Sequence, residues 1–261
     1  MVKRRPAIRK VLPAHSDAIR IVPLHPGVGA EIVAPTAAPN LTYRNGPLIE
    51  AVEVFTVFWG AAWNSAPQSG LMPQLNSFFD FILTSALIEQ LAEYNAANFK
   101  IGHGKRTGTT LITSPALGGS VADSAIQSML QNEIANNPAF PQPSPNTLYF
   151  VYFPPGVKVV QGGAASCTSF CGYHNDINGT IFYAAMPYPG CSGCVGGLQP
   201  FDALTSTSSH ELCEAITDPI PGEGWYDDAN GEIGDICAWN FKKVDGYNVQ
   251  LEWSNKNNKC M

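Results

Sequence analysis

Hydrophobic and polar positions along this chain change period from block to block. "AVEVFTVFWG" (51–60) alternates with a period of two and is β-branched and aromatic, which predicts a strand. "PQLNSFFDFILTSALIEQLAEYNAA" (73–97) places Leu75, Phe78, Phe79, Ile82, Leu83, Leu87 and Leu91 on one stripe, which predicts a helix. A short strand is expected at 107–113. A second amphipathic helix is expected at 120–137, through Val121, Ile126, Met129, Leu130 and Ile134, opening on Ser120 with Asp123 as a capping-box variant. "NTLYFVYFPP" (146–155) and "GTIFYAAMPYP" (179–189) read as buried strands. A late helix spans roughly 202–217 and is stopped by Asp218-Pro219. Asn230-Gly231 signals a hairpin, and "YNVQLEW" (247–253) a closing strand. This succession predicts an α/β fold: a single mixed-sheet domain over 43–261 with helices packed on the sheet, preceded by an extended Pro- and Ala-rich N-terminal arm over 1–42.

Composition narrows the class. The 261 residues are 45% hydrophobic but only 14% charged, with 24 Gly and 21 Pro. That profile suits a loop-rich extracellular protein, and no apolar run is long enough for a transmembrane segment. The basic N-terminus lacks the apolar stretch of a secretory signal, so secretion is expected without a signal peptide visible in this sequence. Residues 1–20 carry six bases against Asp17; the net charge of −6 therefore leaves −11 on the remainder, which argues against nucleic acid as a partner. None of the seven cysteines precedes Cys167. Cys167, Cys171, Cys191 and Cys194 form two close pairs that suit disulfides better than a tetrathiolate zinc site, and Cys237 and Cys260 form a further candidate bridge. Cys213 is left over, as a buried thiol.

The chemistry concentrates in "SSHELCEAITDP" (208–219). On a helix, His210 and Glu214 share a face at i and i+4 and can hold one ion together, while Glu211 stands where a zinc peptidase keeps its general base. Eight acids and no Lys or Arg lie from Glu211 to Asp235, an imbalance that favours a bound cation. A further ligand is sought among Glu232, Asp235 and Asp218. Asp218, eight residues past His210, stands about 12 Å further along an unbroken helix axis and suits the same ion least. His174 in "CGYH" competes as a ligand, and His174 or Tyr226 could steady an oxyanion. The competing reading is a helix whose acids are simply exposed. One imidazole with carboxylates suits zinc, calcium or manganese.

Several blocks together resemble the plant Exordium (phosphate-induced protein) family and its bacterial and fungal relatives: "YRNGPLIEAVEVFTVFWG" (43–60), "CTSFCGYH" (167–174), "CSGC" (191–194), and "SHELCEAITDP" with "GWYD…GEIGDIC" (209–237). The likeness implies a secreted protein with a shared site where the double-Cys block, the helix and the Glu-Ile-x-Asp segment meet. Two functions follow as expectations. One is a zincin-like metallohydrolase acting on a peptide or protein, with Glu211 as base and Zn2+ on His210, Glu214 and a downstream acid. The other is a non-catalytic module with structural Ca2+ that binds cell-wall polysaccharide or a protein partner.

Overall fold

The computed structural model describes residues 21–27 and 38–261. Its principal elements are β1 (Ile21–Pro23), β2 (Ala51–Trp59), α1 (Gln68–Ile82), β3 (Gly102–Ile112), α2 (Asp123–Asn136), β4 (Thr147–Tyr152), β5 (Phe170–Ile177), β6 (Ile181–Met186), α3 (Pro200–Thr217), β7 (Phe241–Val244) and β8 (Tyr247–Gln250). The main sheet has six strands in the order β1-β5-β6-β4-β2-β3. β6, β4, β2 and β3 run parallel, while β5 and β1 join antiparallel. The fold is therefore a mixed α/β domain, built by crossovers through α1 and α2.

Strand alternation divides the core into two layers. Phe55, Val57 and Trp59 of β2 and Tyr149 and Val151 of β4 pack with Ile126, Met129, Leu130 and Ile134 of α2. Val54 and Phe58 of β2 and Leu148, Phe150 and Tyr152 of β4 point the other way, against Leu75, Phe78, Phe79 and Ile82 of α1 and against α3. Both central strands are covered on both faces, which is why they read as near-continuous apolar runs.

Several expectations shift in detail. The 73–97 helix is broken: α1 begins at Gln68, and after a break a short helix, Ala86–Gln90, runs on into a 3-10 turn, Leu91–Tyr94. The Leu83 carbonyl accepts a hydrogen bond from the Gly104 backbone, and Ser85 caps the next helix by accepting from the Leu87 N–H at 3.2 Å, so the sheet and a serine cap override the continuous apolar stripe. Ser120 does not cap α2; it lies in a short strand, Ser120–Ala122, beside Lys158–Gln161. The 107–113 strand begins earlier, at Gly102. Most of the proposed arm lies outside the described residues. Within its range, Ile21–Pro23 completes the sheet edge against β5, and Thr42–Tyr43 pairs with Trp225–Tyr226. Among the described residues, no single helix is long and apolar enough to cross a membrane.

Three disulfides close the last third of the chain: Cys167–Cys191, Cys171–Cys194 and Cys237–Cys260, leaving Cys213 free and buried. Each loop spans 23 or 24 residues, a length for which a bridge stabilises by roughly 3 kcal/mol.

Candidate metal centre

α3 is polar in sequence yet buried from Ala203 to Thr217. Its hydroxyls make that possible by finding partners inside the protein. Thr205 Oγ1 donates to the Asn248 carbonyl at 2.8 Å, Ser209 Oγ accepts from the Gln250 N–H at 2.9 Å, and Ser208 Oγ pairs with Tyr152 Oη at 2.7 Å. The helix thus lies between the sheet and β8, with both flanks occupied. Glu211 and Glu214 are fully buried, which removes the reading of an exposed acidic face.

β5 brings His174 to this helix. Tyr173 packs into the α2 layer and its neighbour His174 faces α3, as strand alternation requires. His174 Nδ1 lies 3.2 Å from Glu211 Oε2 and 3.5 Å from Glu214 Oε2. Its Nε2 donates to the Asp218 carbonyl at 3.1 Å and lies 3.5 Å from Glu232 Oε1. A hydrogen bond to a backbone carbonyl is the usual device that fixes a ligand imidazole and leaves its other nitrogen for a metal.

The segment after the Asn230-Gly231 turn supplies the opposite wall. His210 Nε2 lies 2.9 Å from Glu214 Oε1 and 3.9 Å from Asp235 Oδ1. The Asp235 N–H donates to Glu214 Oε1 at 3.1 Å, and Asp235 Oδ2 accepts from the Glu232 N–H at 3.0 Å. Gly234 is required here, because a Cβ at that position would stand 2.7 Å from His210 Nδ1. Gln250 Nε2 holds the Gly234 carbonyl at 2.8 Å.

Two groups of potential ligands result: His174 with Glu211 and Glu214, and His210 with Glu214 and Asp235. The donor atoms in each group lie within 4.8 Å of one another. Two donors about 2.0 Å from a tetrahedral ion stand ~3.3 Å apart, so the spacings around both imidazoles bracket what an ion requires. The hydrogen-bond inventory points the same way. Neither nitrogen of His210 has a hydrogen-bond partner, nor do Glu211 Oε1, Glu214 Oε2 or either oxygen of Glu232, although all are buried. His210 Nε2 is close to Glu214 Oε1 but badly angled for an N–H···O bond. Orphaned buried donors and acceptors are costly and are satisfied together by a cation. The buried His, Glu and Asp groups could therefore hold a metal ion.

Without the ion, protons take its place. Burial opposes charge on His174, but Glu211 and Glu214 outweigh it and raise its pKa to about 10. His210 is raised well above the ordinary value for the same reason, with Glu214 the main partner. Burial would lift Glu214, yet the two imidazoles bring it down to about 2. Burial raises Glu211 to about 7, although the His174 hydrogen bond opposes it. Glu232 and Asp235 are raised well above the carboxylate range, first by burial and then by Glu214.

The remaining sequence candidates have other places. Asp218 accepts from the backbone N–H groups of Gly222, Glu223 and Gly224, so its carboxylate fastens the turn after α3 and only its carbonyl meets His174. Tyr226 carries Arg44 over its ring at 4.5 Å and belongs to neither group. Glu252, which the pattern hid inside a predicted strand, is fully buried with both oxygens orphaned, and burial raises its carboxyl well above the usual range.

No family model matches the chain, and no curated protein matches it.

Proposed function

We propose that this protein is a secreted, Exordium-like binding module whose buried metal, zinc rather than calcium, locks α3 to β5 and to the segment after the Asn230-Gly231 turn. The observation that carries this reading is burial. His174 is 1% exposed, His210, Glu211 and Glu214 are 0%, and the Asp235 side chain is 7%. A hydrolytic base has to come within hydrogen-bond reach of a water that also meets substrate, whereas a structural ion needs only closure. An imidazole in each ligand group favours zinc over calcium, which takes six to eight oxygens. Disulfides fit an extracellular setting; Cys171 of one lies three residues from His174, and Cys237 of another lies two residues from Asp235.

The binding face lies away from the metal groups. A groove of about 1120 Å³ is lined by Tyr94, Trp225, Glu89, Glu93, Asn255 and Lys256, among others. The partly exposed ring of Trp225, backed by the buried Tyr94 and set beside carboxylates and amides, suits a polysaccharide, whose sugar faces stack and whose hydroxyls hydrogen-bond. Pull-down on insoluble cell-wall polysaccharides tests it. Binding should fall in Trp225→Ala and in the exposed-site variants Glu89→Ala and Lys256→Ala, with no hydrolysis of a denatured protein library.

A second reading, the zincin-like hydrolase, is favoured by one observation: Glu211 Oε1 is orphaned next to the group formed by His210, Glu214 and Asp235. Peptide hydrolysis by the purified protein that vanishes in Glu211→Gln, with metal content unchanged, would establish that reading and displace the first.

A further inference from the structure

The two ligand groups share a single residue, Glu214, and they use different oxygens of it. Oε2 faces His174 Nδ1 at 3.5 Å, while Oε1 faces His210 Nε2 at 2.9 Å. A carboxylate pointing its two oxygens at two separate imidazoles has the geometry of a bridge. Each imidazole also has its own second acid: Glu211 on the His174 side at 3.2 Å, Asp235 on the His210 side at 3.9 Å.

We propose that Glu214 bridges two divalent ions, one held by His174 Nδ1, Glu211 and Glu214 Oε2, the other by His210 Nε2, Asp235 and Glu214 Oε1. This deepens the metal-binding reading and rests on it.

Three observations carry the second ion. The first is the set of orphaned atoms, which falls on both sides of Glu214. Both His210 nitrogens are orphaned on one side, and Glu211 Oε1 and Glu214 Oε2 on the other. One ion would satisfy one side and leave the other buried and unpaired. The second is charge. Glu211, Glu214, Asp235, Glu232 and Glu252 carry five negative charges when ionised, and the two ligand imidazoles are neutral when bound to metal. Two divalent ions offset four of these charges, whereas one leaves three uncompensated carboxylates in a solvent-excluded interior. The third is the fixing of the first ligand. His174 Nε2 is tied to the Asp218 carbonyl at 3.1 Å, so its Nδ1 is presented to two carboxylate oxygens, a position where either a proton shared with Glu211 at 3.2 Å or a metal ion can sit. Carboxylate-bridged ions of this kind stand roughly 3.5–4 Å apart. Glu211 is in this arrangement a ligand, which is compatible with a structural centre.

Manganese is a suitable probe, because two bridged Mn2+ ions are magnetically coupled and isolated ones are not. Metal-free full-length protein would be titrated with Mn2+ and followed by electron paramagnetic resonance, alongside metal quantification per chain. The expected result is about two equivalents bound per chain, with the resolved hyperfine pattern of isolated ions replaced by a coupled spectrum. His174→Ala and His210→Ala should each halve the bound metal and restore the isolated-ion pattern. Should either variant fail to fold, the parent titration still decides. One equivalent overturns the bridge and leaves a single-ion site standing; two equivalents without coupling overturn the bridge and leave two separate ions. No bound Mn2+ and no bound zinc overturns both.

Discussion

The two faces of the central sheet handle their carboxylates in opposite ways. On the α2 face, the half-buried Asp123 is satisfied by two hydroxyls and an amide: Tyr173 and Tyr183 each donate to Oδ1 at 2.6 Å, and Gln127 Nε2 donates to Oδ2 at 2.7 Å. On the α3 face, Glu211, Glu214, Glu232 and the two histidines are buried with orphaned atoms or mutual charge pairs. The same strand feeds both, since Tyr173 and His174 are neighbours on β5. A carboxylate enclosed by neutral donors is complete within the protein. A set of carboxylates enclosed mainly by imidazoles is complete only with a cation or with protons in its place.

The largest effect that would break this contrast is Glu214→Ala. It removes a ligand from both groups and leaves His174 and His210 facing the remaining acids. Metal should be lost, and stability should fall by roughly 3–5 kcal/mol, the scale of breaking a buried ion pair. For a chain of this size that is on the order of 10 °C in Tm, measurable by calorimetry. A variant with unchanged Tm would place the α3 face on the same footing as the α2 face.

Next in size is the response of chelated protein to pH. In the metal-free form, His174 at about 10 adds stability that is complete below its unfolded value of 6.5 and disappears as pH rises through about 10. Glu211, raised to about 7, changes in the same direction. Glu214 at about 2 adds stability that is present above 4.5 and lost as pH falls towards 2. Chelated protein should therefore be most stable near pH 4.5, losing stability as pH falls towards 2 and as it rises through about 7 and then about 10. The gain from metal should grow as pH rises above that point, because the ligands bind metal only when deprotonated. Parallel Tm–pH profiles with and without chelator would contradict the exchange of protons for metal.

The smallest effect belongs to the other face. Asp123→Asn keeps Oδ1 as the acceptor for both tyrosine hydroxyls but sets an amide donor against Gln127 Nε2, and losing that bond costs about 1–2 kcal/mol. Metal content should not change. A loss of metal in this variant, read by elemental mass spectrometry, would show that the faces are coupled through β5.

How much of this was legible in the sequence varies by residue. The α/β order followed from the apolar runs of β2, β4 and β6, which are long enough to read without context. The His210–Glu214 pairing followed from helical spacing alone. Four features did not. β5 was not read as a strand because its "FCGYHNDI" carries Gly and Asn and little β-branched content, so His174 had no face assigned to it. The break after α1 is set by Gly104 of β3, more than twenty residues away. Asp218 was weighed as a ligand because spacing shows an acid but not the three amides that claim it. Glu252 looked like the polar position of an alternating strand, and its burial comes from elements distant in sequence.

The central claim, that the buried acids and imidazoles between β5, α3 and the Asp235 segment hold metal, is tested most directly by anomalous scattering from crystals of protein purified without chelator. The account predicts a peak about 2.0–2.1 Å from His210 Nε2, in contact with Glu214 and Asp235. An anomalous map with no peak there, and His210 hydrogen-bonded directly to Glu214 at full occupancy, would contradict it.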